Sequence, residues 1–361
     1  MSTREYSIAV IPGDGIGGEV THEAIRVLQA LKECYGFSLR LTHYPFGADH
    51  YLKTKETLPD AALDEMRQMN AIYLGAIGDP RVETGLLERA IIAGVRFKLD
   101  LYVNLRPVKL YSEQFCPLKD KTPKDIDLVV VRENTEDAYT GIGGIFKQDT
   151  EDEIAIATMI YTHKGVERVI RYAFDFAKRS GRRKVTLVDK ANAVRAQDIW
   201  TRIFARVAQK YPEIQTDHMY IDAACMWLIK NPEWFDVAVM PNIFGDIFTD
   251  LGAMVQGGLG IAASGNLHPG RVSMFEPIHG SAPKYKGQGV ANPLAAINAG
   301  QMLLDYVGER EAAATLEKAI AVLLTSGRIR SLSAGVHRTS EIGDLVIDEV
   351  RRLAGSKKDE G

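Results

Sequence analysis

Two spacings of apolar residues alternate along the chain. YSIAVI (Tyr6–Ile11) is a run of β-formers that predicts a strand. From Glu19 to Lys32, Val20, Ala24, Val27, Leu28 and Leu31 recur at helical spacing and predict a helix. Further strands are predicted at Phe37–His43, Ala71–Leu74, Leu128–Val131, Ile154–Ile160, Val185–Val188 and Val237–Met240, with helices at Gly165–Lys178 and Ala196–Lys210. Such alternation predicts an α/β fold in which helices cover both faces of a parallel sheet. Thr140–Phe146 and Asp149–Ile160 are more β-like than helical, and predict a two-stranded arm. In the last third, Gly252–Gly265 is glycine-rich and apolar, Asn292–Val307 and Glu309–Leu324 read as long core helices, and the polar tail GSKKDEG is expected to be disordered.

Composition narrows the function classes. At 361 residues the chain exceeds the roughly 250–300 that one core sustains, which predicts two domains. Forty-four Lys and Arg against 47 Asp and Glu leave a net charge of −3 and no electrostatic reason to bind nucleic acid. No stretch approaches the ~20 apolar residues of a membrane span, and the amino end lacks the pattern of a secretion signal. Cys34, Cys116 and Cys225 form no CxxC pair, so reduced thiols in a cytoplasmic protein are expected.

Candidate chemistry lies at the ends of the predicted strands. Gly13, Gly15 and Gly18 match GxGxxG between a strand and a helix. A dinucleotide fingerprint needs an acidic residue closing the second strand, and that strand ends His43-Tyr44-Pro45. The turn therefore reads as one that lets backbone approach something closely, with Asp14 available as a helix cap. Asp246 and Asp250 in NIFGDIFTD share one helix face among apolar neighbours, and Asp222 ends a strand-like run. Three carboxylates suit a hard cation such as Mg²⁺ or Mn²⁺. Arg96, Arg106 and Arg132 present forks that match carboxylates, with Pro107 expected to stop the strand at Arg106. Tyr139 and Lys190 are candidate proton carriers, a lysine among cations being easier to deprotonate.

Taken together, NLRPVK, VVVRENTE, VDKAN, NIFGDIFTDL, FEPIHGSAP and ANPLAAI resemble, in order and spacing, the isocitrate/isopropylmalate family of β-decarboxylating dehydrogenases, from Ile8 to about Asp344. The resemblance implies a two-domain α/β fold that is not Rossmann, with a continuous mixed sheet and a small β arm. Residues 1–103 and 256–361 would form a large cofactor-side domain. Residues 104–255 would form a middle domain with the dimer interface and the arm, about 136–162. The family's metal aspartates fall on Asp222, Asp246 and Asp250, its substrate-carboxylate arginines on Arg96, Arg106 and Arg132, and its catalytic pair on Tyr139 and Lys190. Lys190 and Asp222 are lent across the dimer in the family, which implies a homodimer with shared active sites. The cofactor loop would comprise His279, Gly280, Ser281, Ala282, Lys284 and Tyr285, with Asn292, and the first glycine turn would lie near it. A substrate dianion, a divalent cation, the three arginines, the three aspartates and a neutral lysine sum to zero charge, so the closed site would hold no uncompensated charge.

The segment Glu88–Arg96 would meet the substrate's variable group. Isocitrate enzymes place Ser and Asn where this chain has Ala90 and Ile92, which offer no hydrogen bond to a third carboxylate. Glu88 fits isopropylmalate enzymes, although their Leu-Leu pair reads Ile92-Ala93 here and Ala193 stands where Val is common. The expected activity is oxidative decarboxylation of 3-isopropylmalate in leucine biosynthesis, with tartrate or D-malate as the alternative substrate. Lys284-Tyr285 replaces the Asp-Ile usual with NAD, so of NAD or NADP, NADP is expected at least to be tolerated. A non-catalytic metabolite-binding relative is the alternative of another class, but all eight metal, arginine and catalytic positions carry competent residue types.

Overall fold

The computed structural model describes residues 4–359. In chain order its strands are β1 (Glu5–Gly13), β2 (Ser38–His43), β3 (Ala71–Ala76), β4 (Val103–Lys109), β5 (Asp127–Glu133), β6 (Gly143–Phe146), β7 (Ile154–Ala157), β8 (Lys184–Asp189), β9 (Gln215–Tyr220), β10 (Val237–Met240), β11 (Ala263–Leu267) and β12 (Ser273–Pro277). Two compact units share them. The first takes residues up to Leu101, Lys109–Pro123 and everything from Ala253, while the second takes Tyr102–Val108 and Lys124–Gly252.

In the first unit the strands run in the order β2-β1-β3-β12-β11, parallel except for the antiparallel β11–β12 pair. The central β3, AIYLGA, is buried at every residue, as a parallel strand covered on both faces must be. Helix Gly17–Tyr35 buries Val20, Ala24, Val27, Leu28 and Leu31 and stops at Gly36, whose left-handed φ of 70° closes the last turn. It packs on helices Leu294–Val307 and Thr339–Asp359. That last helix runs through Gly355, where disorder was expected, and the end of the tail, residues 360–361, lies outside the described residues.

In the second unit the order is β4-β5-β10-β8-β9, with the β5–β10, β10–β8 and β8–β9 pairs parallel. Its core gathers Val129–Val131, Val237–Met240, Phe174, Trp200 and Phe248. Helix His163–Ser180 starts at Thr162, whose side chain accepts from the Gly165 N–H. The expected arm is the antiparallel pair β6–β7, in register Gly143↔Ala157, with every strand residue exposed.

Two details depart from the sequence reading. Asp222 does not end a strand: β9 stops at Tyr220 and Asp222 opens the helix Ile221–Lys230. This strand was unreadable because it is polar and largely exposed. Nor does Pro107 stop the strand at Arg106, since β4 runs through both to Lys109, Pro107 costing it one donor only. Among the described residues, no helix is long and apolar enough to cross a membrane.

Candidate active site

Because β5, β10, β8 and β9 are parallel, their carboxyl ends lie along one edge of the second unit, where open α/β sheets place ligands. Arg132 lies near the end of β5, the helix Asn242–Val255 follows β10, Lys190 follows β8, and Asp222 follows β9. Asp246 is the junction of the first group. Its Oδ1 receives Arg132 Nη1 at 2.5 Å and Arg106 Nη2 at 3.3 Å, and its Oδ2 accepts the Tyr139 hydroxyl at 2.9 Å. One turn on, Asp250 lies 3.8 Å from Arg106. Burial holds its carboxyl above the usual range, an effect that Arg106 opposes and Asp246 reinforces.

Both guanidiniums are buried and aimed by other residues. Arg132 donates through Nε and Nη2 to Asn242 Oδ1, at 2.9 and 2.7 Å, and lies 5.4 Å from the Tyr139 ring centre. Arg106 donates to Asn104 and to the Thr249 hydroxyl, each at 2.6 Å. Gly245 is required here: a Cβ would fall 2.4 Å from Arg132 Cγ. The Tyr139 turn is folded by Glu133, a buried carboxyl that accepts from the Thr135 and Glu136 N–H groups and that burial pushes up to about 7. Asp137, at the left-handed φ of 72°, accepts the Ile243 N–H at the start of the Asp246 helix. Burial, with the Asp246 charge, raises the Tyr139 hydroxyl above the ordinary tyrosine range, so it carries its proton at neutral pH.

Lys190 and Asp222 form a second group, joined Nζ to Oδ1 at 2.5 Å. The ammonium holds the Asp222 carboxyl below the usual range. Among the described residues of one chain, no three carboxylate, histidine or cysteine side chains come together as a metal site.

The first unit holds the remaining candidates. Arg96 donates to Glu276 Oε1 at 2.8 Å, and the buried Asn266 amide donates to the same oxygen, so Glu276 fixes the fork. Glu88–Ala93 is a π-helix, a local winding common at functional sites. Glu88 lines a cavity of about 380 Å³, whereas Ile92 packs against the hydrophobic core. Gly280, Ser281 and Ala282 also line that cavity, with Ala282 at a left-handed φ of 41°.

The first glycine turn packs on this loop. Ile16 N–H donates to the Ser281 carbonyl at 2.8 Å, and Gly15, at φ 56°, leaves no room for a Cβ, which would fall 1.9 Å from that oxygen. Gly18, by contrast, faces nothing within 4 Å, so the GxGxxG match is not one structural device. Asp14 does not cap the helix that follows it. Its carboxylate accepts from the N–H groups of Ala48 and Gly78, fastening two other loops.

His279, Lys284, Tyr285 and Asn292 lie outside the cavity's lining. Burial lowers the His279 pKa and keeps the ring neutral. Lys284 is exposed, with Nζ 4.7 Å from the Tyr285 ring centre. Asn292 turns inward, accepting from the Leu294 N–H and donating to the Leu332 carbonyl. Sequence reasoning missed Asp137, Asn242, Thr249 and Glu276, which hold the reactive side chains. For Asn242 and Glu276 the signal is a polar residue at a helix or strand end among apolar neighbours, as in PNIF and MFEP; Thr249, in mid-helix, and Asp137, among polar residues, leave none.

The family profile described as isocitrate/isopropylmalate dehydrogenase matches residues 7–346. The chain is similar to a 3-isopropylmalate dehydrogenase of Thermobifida fusca (strain YX), 46% identical over 353 residues that cover 97% of this chain and 99% of that one. One of Streptomyces coelicolor is 47% identical over 356 residues, covering 98% and 100%. Among solved structures it resembles isocitrate dehydrogenase from Methylococcus capsulatus, with TM-score 0.87, 36% identity and coverage of 96% and 99%. A β-decarboxylating dehydrogenase from Thermococcus kodakarensis gives TM-score 0.79 and 32% identity, covering 98% of both chains. With the profile spanning nearly its whole length and these relatives matched end to end, the chain belongs to the isocitrate/isopropylmalate dehydrogenase family.

Proposed function

We propose that this protein is a divalent-metal- and NAD(P)-dependent dehydrogenase that oxidises and decarboxylates 3-isopropylmalate to 2-oxoisocaproate in leucine biosynthesis. The observation that carries the chemistry is the junction at Asp246, where one carboxylate meets two buried arginines and a protonated tyrosine. The substrate follows the names of the near-full-length relatives.

The donor set suits a hard cation. Asp246 and Asp250 offer oxygen ligands one turn apart, and Asp222 of a second copy would complete the set. When bound, the cation supplies Lewis acidity at the C2 oxygen and the nicotinamide accepts the hydride. Arg106 and Arg132, with Arg96 held by Glu276, bind the substrate's carboxylates. Lys190 takes the hydroxyl proton from the C2 oxygen, and Tyr139 delivers a proton to C3 after carbon dioxide leaves. The nucleotide lies against Gly280–Ala282, in a cavity whose size falls in the range for small-ligand sites, and Glu88, which lines the same cavity, meets the substrate's variable group.

A homodimer is part of this reading. Met226, 72% exposed, and Ile247, 58% exposed, leave apolar surface on the two helices that carry Asp222 and Asp246, and the arm adds Ile145, Phe146, Ile154 and Ile156. Apolar surface of this kind marks an association site.

Turnover tests the proposal: with Mn²⁺ and 3-isopropylmalate, reduced nucleotide and 2-oxoisocaproate should form in equal amounts, and no product would overturn it. For the cofactor, Lys284→Asp should lower the NADP/NAD ratio of kcat/KM by about tenfold, the size of one lost charge-assisted hydrogen bond. An unchanged ratio would remove Lys284 from cofactor choice.

A further inference from the structure

The Lys190 group and the Asp246 group stand on separate segments, and a line of hydrogen bonds inside the second unit joins those segments. Lys190 N–H donates to Gln197 Oε1 at 2.6 Å. Gln197, fully buried, donates from Nε2 to the Tyr161 hydroxyl at 2.8 Å. Tyr161 in turn donates to Asp137 Oδ1 at 2.8 Å, and Asp137 Oδ2 accepts the Ile243 N–H at 3.0 Å. Asp137 also donates its own N–H to the Ile160 carbonyl, which fastens the Tyr139 turn to the segment that bears Tyr161.

Each link is used in one direction. Gln197 spends its acceptor on the Lys190 loop and an amide donor on Tyr161. Burial keeps the Tyr161 hydroxyl protonated, with the Asp137 charge reinforcing it, so its donation to Asp137 persists across neutral pH. The Tyr161 ring packs edge-on against the buried Trp200, which fixes where that hydroxyl points. Asp137 sits at a positive φ, a backbone state held only by such surroundings. Replacing either central residue by an apolar one leaves a polar partner without its hydrogen bond at each end, both partners being buried in the case of Tyr161.

We propose that Gln197 and Tyr161 are positioning residues that set the Lys190 loop and the Tyr139 turn together. The consequence rests on the shared-site reading above: one end of the line serves the protomer's own site, and the other serves its partner's. A disturbance in one protomer then reaches both active sites of the dimer. Asn242 and Thr249, rather than Gln197 or Tyr161, aim the arginines, so the loss should fall on turnover more than on substrate capture.

Tyr161→Phe should lower kcat at least tenfold while the KM for 3-isopropylmalate stays within about threefold and Tm within a few degrees. Gln197→Met should do the same, which guards against one variant failing to fold. A kcat within twofold of wild type in both would overturn the proposal, as would losses that track KM or Tm. The two-site consequence is tested in dimers that pair a Lys190→Met protomer with an Asp246→Asn protomer and so keep one live site. Adding Tyr161→Phe to either protomer should slow that site, through Lys190 in one case and Tyr139 in the other. Slowing from one protomer alone would refute the coupling. If the parental pair has no activity, shared sites fail, and the homodimer kcat still decides the positioning role.

Discussion

Asp246→Asn should lower kcat/KM for the hydroxy acid by about 10³-fold with little change in Tm. The expected loss follows from what meets at this carboxylate. Oδ1 takes Arg132 and Arg106, and Oδ2 takes Tyr139. An amide of the same shape accepts at one end only and turns two donors toward groups that are themselves donors. It also removes the negative charge between two buried guanidiniums, where electrostatic contributions to a reaction are commonly worth 10²–10³-fold. In the proposed function a metal ligand is lost as well, which takes the effect to the upper end. The side chain is 37% exposed and the amide keeps one acceptor oxygen, while Asn242 and Thr249 still hold the two guanidiniums, so Tm should move little. Steady-state kinetics with a melting curve check this, and a loss under tenfold would remove Asp246 from the centre of the site.

Lys190→Met should lower kcat for oxidation by about 10²–10⁴-fold, the range for a positioned general base. Decarboxylation of a supplied 2-keto intermediate should remain measurable, because that half of the reaction uses Tyr139. The structure adds a condition. Lys190 is bound to Asp222 rather than to Asp246, and no metal site forms within the described residues of one chain. If both lysine and aspartate act in the partner's site, two inactive variants should rescue each other. Reassociating equal amounts of Lys190→Met and Asp246→Asn protomers makes half the dimers mixed, each with one intact site, and so should restore about a quarter of wild-type activity. No recovery would place each site within a single chain.

How much was legible depended on the kind of signal each part leaves. β3 and β10 were readable because strands buried on both faces are continuous apolar runs, AIYL and VAVM. β9 was not, since QTDHMY is largely exposed and polar, and its absence turned the opening of the Asp222 helix into a supposed strand end. Asp246 and Asp250 were readable because four-residue spacing puts them on one helix face, as the contacts with Arg106 bear out. The π-helix at Glu88–Ala93 could not be read, because ERAIIA fits an ordinary helix equally well. The line Lys190, Gln197, Tyr161, Asp137 was hidden for another reason. It joins residues up to 36 positions apart through side-chain hydrogen bonds, which leave no period in the sequence.

The central claim is the substrate, and it is tested most directly by kcat/KM measured with Mn²⁺ for 3-isopropylmalate, D-malate, tartrate and isocitrate in turn. The account predicts the highest value for 3-isopropylmalate and the lowest for isocitrate, whose third carboxylate finds no hydrogen-bonding side chain at Ala90 or Ile92. A higher value for D-malate or tartrate than for 3-isopropylmalate would contradict it.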